Sequence, residues 1–131
     1  MSLLADTSAW IEYLRDTGSP GCEAIDRGLR GGDLLVTDVV TMEVLAGARD
    51  DADELRLASL LSVATSVPVE REDWPSAAQL HRACRTGGET VRRLPDCLIA
   101  AVAIRAGVAL LHCDGDFETL ARHTALRART A

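Results

Sequence analysis

The sequence predicts an α/β fold, a three-layer sandwich in which a mostly parallel sheet of about four or five strands lies between helices. Short apolar runs alternate with longer segments of helical periodicity along the whole chain. Hydrophobic residues make up 47% of the chain but aromatic residues only 3%, so Ala, Leu and Val must fill the core. That composition suits helices packed on a sheet better than an all-β sandwich. We expect a single domain over residues 1–131.

The first third of the chain predicts a strand followed by two helices. The apolar run Leu3–Ala5 is the strand, and Thr7 and Ser8 offer capping hydroxyls to the helix that follows. Gly18–Pro20 break that helix. A second, shorter helix is predicted over Cys22–Leu29, and a pair of glycines ends it.

The middle of the chain repeats the strand–helix unit. Leu34–Val36 predicts the second strand, and the next helix is expected to end near Gly47. An acidic stretch then opens a helix over residues 50–63. The run Ser66–Val69 predicts a third, short strand near an edge of the sheet, because Pro68 has no N–H to donate to a strand ladder.

The last third predicts two longer helices, a strand and a short final helix. The first helix covers about Trp74–Arg85, and Pro95 suits the first position of the second. The segment Cys97–Ile104 is apolar nearly all round, which indicates a central, buried helix. Val108–Leu111 is the last clear strand, and Asp116 opens the final helix.

Charge and composition exclude several classes of protein. The net charge of -6 argues against a general DNA-coating protein, which needs a dominant basic surface. All 14 basic residues are Arg. Receiver domains and haloacid-dehalogenase phosphatases rely on a lysine in their acidic pocket, so the sequence fits these two classes poorly. The four cysteines form no CxxC pair and are expected to be reduced thiols. No apolar run approaches the roughly 18 residues of a membrane span and no signal peptide is recognisable, so a cytoplasmic protein is expected.

Four acids stand at positions where a parallel sheet would bring them together. Asp6 ends the first strand and Asp114 follows the last. Glu43 lies in the helix after the second strand, and Asp96 lies in the first turn of the central helix. Because ligands of such sheets bind at the carboxyl ends of the strands, we expect all four in one pocket.

Each acid also has a simpler explanation. Asp6 would cap a helix, Asp114 would be an ordinary turn residue, and Asp96 would complement a helix dipole. Glu43 would lie on a solvated helix face, although its neighbours on that face are apolar. Four such coincidences are improbable, and clustered carboxylates require a compensating cation. Oxygen ligands favour Mg²⁺ or Mn²⁺, and such sites are typical of phosphodiester hydrolysis.

Four segments resemble the signature segments of PIN-domain ribonucleases, and the similarity is closest to the VapC-type toxins of toxin–antitoxin modules. In order, they are Leu4–Ile11, Thr41–Gly47, Leu94–Ala101 and Leu110–Phe117. The resemblance implies a Mg²⁺- or Mn²⁺-dependent endoribonuclease that cuts structured RNA, often tRNA or rRNA, and so blocks translation. It also implies a homodimer that is held inactive by a cognate antitoxin, whose tail fills the acidic pocket.

The resemblance also implies roles for individual residues. The catalytic acids would be Asp6, Glu43, Asp96 and Asp114. The metal ligands would be Asp6, Asp96, Asp114 and Asp116. Thr7 and Ser8 would hold a water molecule or a phosphate oxygen, or they would only cap the helix. Arg92 and Arg93 would contact substrate phosphates, or they would be solvated loop residues.

Two further alternatives remain at the level of sequence. His112 departs from the Thr or Ser that the family commonly has, and it is either a buried core histidine or a group that tunes the site toward Mn²⁺. The second alternative concerns the whole protein, which would be a catalytically silent PIN-like domain that binds RNA or an antitoxin. Trp10 is expected to pack in the core or in a dimer interface rather than against a base. A DNA flap nuclease would be larger and more basic.

Overall fold

The computed structural model describes residues 2–131, and within them five strands form one parallel sheet flanked by seven helices. The strands are β1 (Leu3–Ala5), β2 (Leu34–Val36), β3 (Thr65–Ser66), β4 (Ala109–His112) and β5 (Ala128–Thr130). The helices are α1 (Thr7–Leu14), α2 (Pro20–Gly31), α3 (Asp38–Ala46), α4 (Asp51–Leu61), α5 (Asp73–Thr86), α6 (Leu94–Ala106) and α7 (Gly115–His123). The predicted α/β fold is confirmed.

The strand order places the carboxyl ends of β1 and β4 side by side at the centre of the sheet. The order is β3-β2-β1-β4-β5, and every neighbouring pair is parallel. Leu4 pairs with Leu35 on one side and with Leu110 on the other. The chain runs outward from β1 in one direction through β2 and β3, and in the other through β4 and β5. Such a reversal leaves a crevice outside the strand ends, where sheets of this kind bind ligands.

The core lies around the sheet and helix α6. Every residue from Asp96 to Ala103 is buried, which agrees with a helix that is apolar nearly all round. Trp10 and Phe117 are fully buried, and they belong to the same cluster as the strand residues. Trp10 therefore packs in the core of the protein, and its burial holds α1 against the sheet. No helix within residues 2–131 is long and apolar enough to cross a lipid bilayer.

Two strands differ from the sequence-based expectation. The third strand was expected at Ser66–Val69, but β3 comprises Thr65–Ser66. The N–H of Val67 still donates to the carbonyl of Val36, at 2.8 Å, and Pro68 then ends the ladder because it has no N–H. The N–H of Val69 donates to Asp38 Oδ2 instead. The second difference is β5, a short and mostly exposed edge strand that carries no apolar run.

Candidate active site

Acidic side chains from four separate segments lie around the carboxyl ends of β1 and β4. Asp6 directly follows β1 and caps α1, and Asp114 follows β4 and caps α7. Asp96 lies in the first turn of α6, and Asp116 lies in the first turn of α7. Glu43 lies in α3. The fold therefore places each of these acids at or near the edge of the sheet that the sequence indicated.

The most compact group consists of Asp96, Asp114 and Asp116. Each offers one carboxylate oxygen, and these atoms lie within 4.8 Å of one another. Asp96 is 1% exposed and Asp116 is 3% exposed. Among residues 2–131, neither oxygen of Asp96 accepts a hydrogen bond. Buried carboxylate oxygens normally have partners, so this pair of orphaned atoms points to a ligand that is not part of the polypeptide.

Burial and mutual repulsion shift the titration of the acids. Burial, the neighbouring carboxylate of Asp116 and the charge of Asp6 raise the pKa of Asp96 to about 8. Burial also raises the pKa of Asp6, against the hydrogen bonds that it accepts from Ser8. The pKa of Asp116 is lowered because hydrogen bonds, chiefly from the N–H of Arg92, outweigh the effect of burial. Of these three acids, Asp96 is therefore the one whose neutral form is favoured most when no cation is bound.

Ser8 links the two strand ends of the site. Its hydroxyl donates to Asp6 Oδ2 at 2.6 Å, and its N–H donates to the same oxygen at 3.0 Å. The same hydroxyl oxygen accepts a hydrogen bond from the N–H of Cys113, at 2.9 Å, in the loop after β4. Ser8 therefore fixes the carboxylate of Asp6 against the segment that carries Asp114. Binding of a water molecule or a phosphate by Ser8 stays a prediction.

We expect Ser8→Ala to destabilise the protein by about 1–2 kcal/mol, because it leaves the N–H of Cys113 without its acceptor and removes one of the two hydrogen bonds to Asp6 Oδ2. Urea unfolding would measure the effect. Ser8→Thr keeps the hydroxyl and serves as the control. Equal stability of Ser8→Ala and the wild type would contradict this role.

Thr7 and Arg93 hold the carboxylate of Glu43 from two sides. The hydroxyl of Thr7 donates to Glu43 Oε1 at 2.8 Å. The guanidinium of Arg93 donates to Glu43 Oε2, and its Nη1 atom is 3.9 Å from Asp96 Oδ1. The side chain of Glu43 is 16% exposed. Glu43 is thus neither fully buried nor on a solvated helix face. The hydroxyl of Thr7 contacts Glu43 directly.

Asp116 anchors the loop that precedes α6. Its Oδ1 atom accepts a hydrogen bond from the N–H of Arg92 at 3.1 Å, and its Oδ2 atom accepts one from the N–H of Arg93 at 3.0 Å. The side chain of Arg92 is 79% exposed, with Nε 3.6 Å from Asp116 Oδ1. The two arginines therefore differ: Arg92 faces solvent at the rim of the site, whereas Arg93 reaches into it.

His112 is a buried core histidine. It is 1% exposed, packs against Phe117 with 5.4 Å between ring centroids, and accepts a hydrogen bond from the N–H of Asp114 at its Nδ1 atom. Burial lowers its pKa, so the neutral ring is the form that fits this position. His112 supports the turn that carries Asp114. An influence on the choice of metal stays a prediction.

The acids fit a divalent cation that prefers oxygen ligands. Asp96, Asp114 and Asp116 could each offer a carboxylate oxygen to one ion, and the two unpartnered oxygens of Asp96 require a positive partner when ionised. Asp6 does not belong to this compact group among the described residues, so its role as a metal ligand stays a prediction. The donor set contains carboxylates alone, which favours Mg²⁺ or Mn²⁺ over softer metals.

An apolar groove of about 300 Å³ lies between α3, α5 and α6. Its walls include Met42, Trp74 and Leu94, which are 63%, 62% and 59% exposed, together with Val39 and Leu98. Met42 precedes Glu43 in α3, and Leu94 is two residues before Asp96 in α6, so these two helices carry residues of both the groove and the acidic pocket. The sequence does not reveal this surface because apolar residues at helical spacing predict burial. A contiguous exposed apolar surface of this kind is typical of binding sites.

A model of the family described as PIN domain matches residues 3–123. The chain belongs to the PIN domain family. Its resemblance to VapC-type proteins is also confirmed, because this PIN domain is 43% identical over 129 residues to VapC ribonuclease Mb1587 of Mycobacterium bovis. The alignment covers 96% of both chains. Ribonuclease VapC11 of Mycobacterium tuberculosis H37Rv has the same identity and coverage.

The solved structures support the fold. The PIN domain superimposes with a TM-score of 0.80 on a chain of VapBC2 from Rickettsia felis, which was solved bound to a DNA fragment from its promoter. The match covers 99% of this chain and 98% of that chain at 15% sequence identity. At so low an identity, the likeness establishes the fold alone.

Proposed function

We propose that this PIN domain is a Mg²⁺- or Mn²⁺-dependent endoribonuclease and the toxin of a toxin–antitoxin module. It would hydrolyse phosphodiester bonds in structured RNA, either tRNA or rRNA, and so inhibit translation. The observation that carries the proposal is the buried group of Asp96, Asp114 and Asp116, in which neither oxygen of Asp96 has a hydrogen-bond partner within residues 2–131. The relatives named VapC ribonucleases, at 43% identity, support a nuclease.

The residues around the pocket suggest separate roles in metal binding and proton transfer. Asp96, Asp114 and Asp116, together with Asp6, would hold the metal. When bound, the ion supplies a Lewis acid that lowers the pKa of an attacking water and stabilises the leaving oxygen. Glu43, which Thr7 orients, is the proposed acceptor of the proton from that water.

Substrate recognition is proposed for the rim of the pocket. Arg92 is largely exposed, and with Arg93 it would contact phosphate oxygens of the RNA. Thr7 and Ser8 are placed beside the acids, where their hydroxyls would reach a phosphate oxygen or a water molecule. Because the net charge is -6, these local arginines and the bound cation must supply the positive field that RNA requires.

A cognate antitoxin and a second copy of the chain are the proposed protein partners. A chain with a matching fold, at a TM-score of 0.71, occurs in a toxin–antitoxin complex from Klebsiella pneumoniae, which supports the proposal of an antitoxin. The apolar groove between α3, α5 and α6 would receive an antitoxin segment, with a cationic side chain of that segment in the acidic pocket. Light scattering of the purified toxin would test the homodimer.

Incubation of the antitoxin-free protein with total RNA tests the proposed activity. The reactions contain Mn²⁺ or Mg²⁺, with EDTA and Asp96→Asn as parallel controls, and sequencing maps the new 5′ ends. We expect a small set of discrete cuts in tRNA or rRNA that require both the metal and Asp96. Cuts that are the same in the variant would be contamination, and a protein that only binds RNA or antitoxin would then be the better description.

A further inference from the structure

Arg93 is the basic side chain that reaches into the acidic pocket. Its guanidinium donates to Glu43 Oε2, and its Nη1 atom is 3.9 Å from Asp96 Oδ1. The hydrogen bond to Glu43 raises the pKa of Arg93, and the charges of Asp96, Glu43 and Asp6 act in the same direction. One positive charge therefore lies beside two carboxylates from two different segments of the chain.

A hydrogen bond fixes the backbone of Arg93, whereas half of its side chain is exposed to solvent. Asp116 accepts a hydrogen bond from the N–H of Arg93, so the loop position is set by one of the acids themselves. The side chain remains 50% exposed although its guanidinium contacts Glu43. The guanidinium can therefore leave the acids by rotation about side-chain bonds, without a rearrangement of the loop.

We propose that Arg93 is an internal counter-cation, which occupies the acidic pocket of the metal-free protein and must be displaced when a divalent metal binds. The proposal rests on the proposed metal-dependent function and adds a control of metal affinity by the chain itself. A metal ion held by Asp96 would lie close to the guanidinium of Arg93, and two positive charges at close range repel each other. After displacement, the guanidinium would lie at the mouth of the pocket, where it would bind a phosphate group of the substrate.

The competition predicts effects of opposite sign with and without metal. Without metal, Arg93→Gln removes the charge that compensates Glu43, so the variant should unfold at a lower temperature than the wild type. With Mn²⁺, the same variant should bind the ion roughly three- to tenfold more tightly, since no guanidinium has to leave. A residue with only a structural role would lower stability but would not increase metal affinity.

Titration calorimetry with Mn²⁺ on the EDTA-treated and dialysed protein measures the affinity without any RNA. Arg82→Gln, at an exposed position in α5, removes the same charge from a helix that supplies none of the acids. Arg93→Lys keeps the charge near the pocket. We expect tighter binding for Arg93→Gln alone, and affinities close to the wild type for the two controls. Asp96→Asn identifies the heat that belongs to this site.

The possible failures are distinguishable. Equal affinities for the wild type, Arg93→Gln and Arg82→Gln would overturn the competition and leave the proposed metal-dependent nuclease intact. Binding that does not depend on Asp96 in any variant would overturn the metal site and the competition together. Binding by Arg93→Gln where the wild type shows none would support the competition in its strongest form.

Discussion

Replacement of Asp96 by asparagine is expected to abolish RNA cleavage and to make the metal-free protein more stable. Asp96 is 1% exposed, and neither of its oxygens has a hydrogen-bond partner among the described residues. Loss of a group that only supports a metal ligand costs about 10–100-fold. Loss of Asp96 itself should therefore reduce the cleavage rate by at least about 100-fold.

The gain in stability has a separate physical reason. At neutral pH the folded protein must keep Asp96 protonated or bury its charge, and both cost free energy relative to the solvated carboxylate of the unfolded chain. The amide of asparagine is neutral at every pH, so the variant buries no charge at this position. We expect Asp96→Asn to raise the free energy of unfolding in EDTA by about 1–3 kcal/mol near pH 8.

Activity and stability must be measured on the same preparations. Chemical unfolding in EDTA gives the stability, and 5′-end mapping after incubation with Mn²⁺ gives the activity. Asp38→Asn is a suitable control, because Asp38 lies in α3 but accepts a hydrogen bond from the N–H of Val69 rather than facing the acids. An inactive Asp96→Asn that is also less stable than the wild type would indicate that Asp96 holds the fold together.

The elements that could be predicted are those whose cause is local. Leu3–Ala5 and Leu34–Val36 are apolar runs of strand length, and the segment after Pro95 is apolar on all sides, so burial dictates both types of element. Asp6 and Asp114 could be placed at one edge because each directly follows a strand. The position of an acid after a parallel strand determines the edge to which it belongs.

The features that could not be predicted depend on contacts between distant segments. β5 pairs with β4 through backbone groups, and its residues 128–130 contain no apolar run that would distinguish a strand. The contact of Arg93 with Glu43 joins residues 50 positions apart, and the sequence alone does not show which group the side chain of a loop arginine will contact. Met42 and Trp74 belong to apolar positions of helices, but they are exposed. Only the assembled fold shows which apolar positions remain exposed to solvent.

The stability of the metal-free protein is expected to fall as the pH rises from about 6.5 to 8. The pKa of Asp96 is about 8 in the folded protein, against 3.8 as its ordinary value. Between these values the folded state holds a proton that the unfolded state has released, so stability decreases with rising pH and levels off above the folded pKa. Asp6, whose pKa is also raised, acts in the same direction.

His112 acts in the opposite direction, but in a different pH range. Burial lowers its pKa below the ordinary value of 6.5, so its contribution to stability rises with pH and levels off just above 6.5. The acids with lowered pKa values, such as Asp116, change stability only near and below their ordinary value of 3.8. The interval from pH 6.5 to 8 therefore reports mainly on Asp96.

The same proton must leave before a metal can bind, because a metal ligand has to be ionised. In that interval the apparent affinity for Mn²⁺ should rise by up to about tenfold per pH unit, and the free energy of unfolding in EDTA should fall by about 1–2 kcal/mol. Urea unfolding and Mn²⁺ titration at matched ionic strength would measure both slopes. Asp96→Asn should lose the slope in stability. If the wild type and this variant show parallel pH profiles, the proton resides elsewhere, and the orphaned carboxylate of Asp96 is then not the group through which pH controls the site.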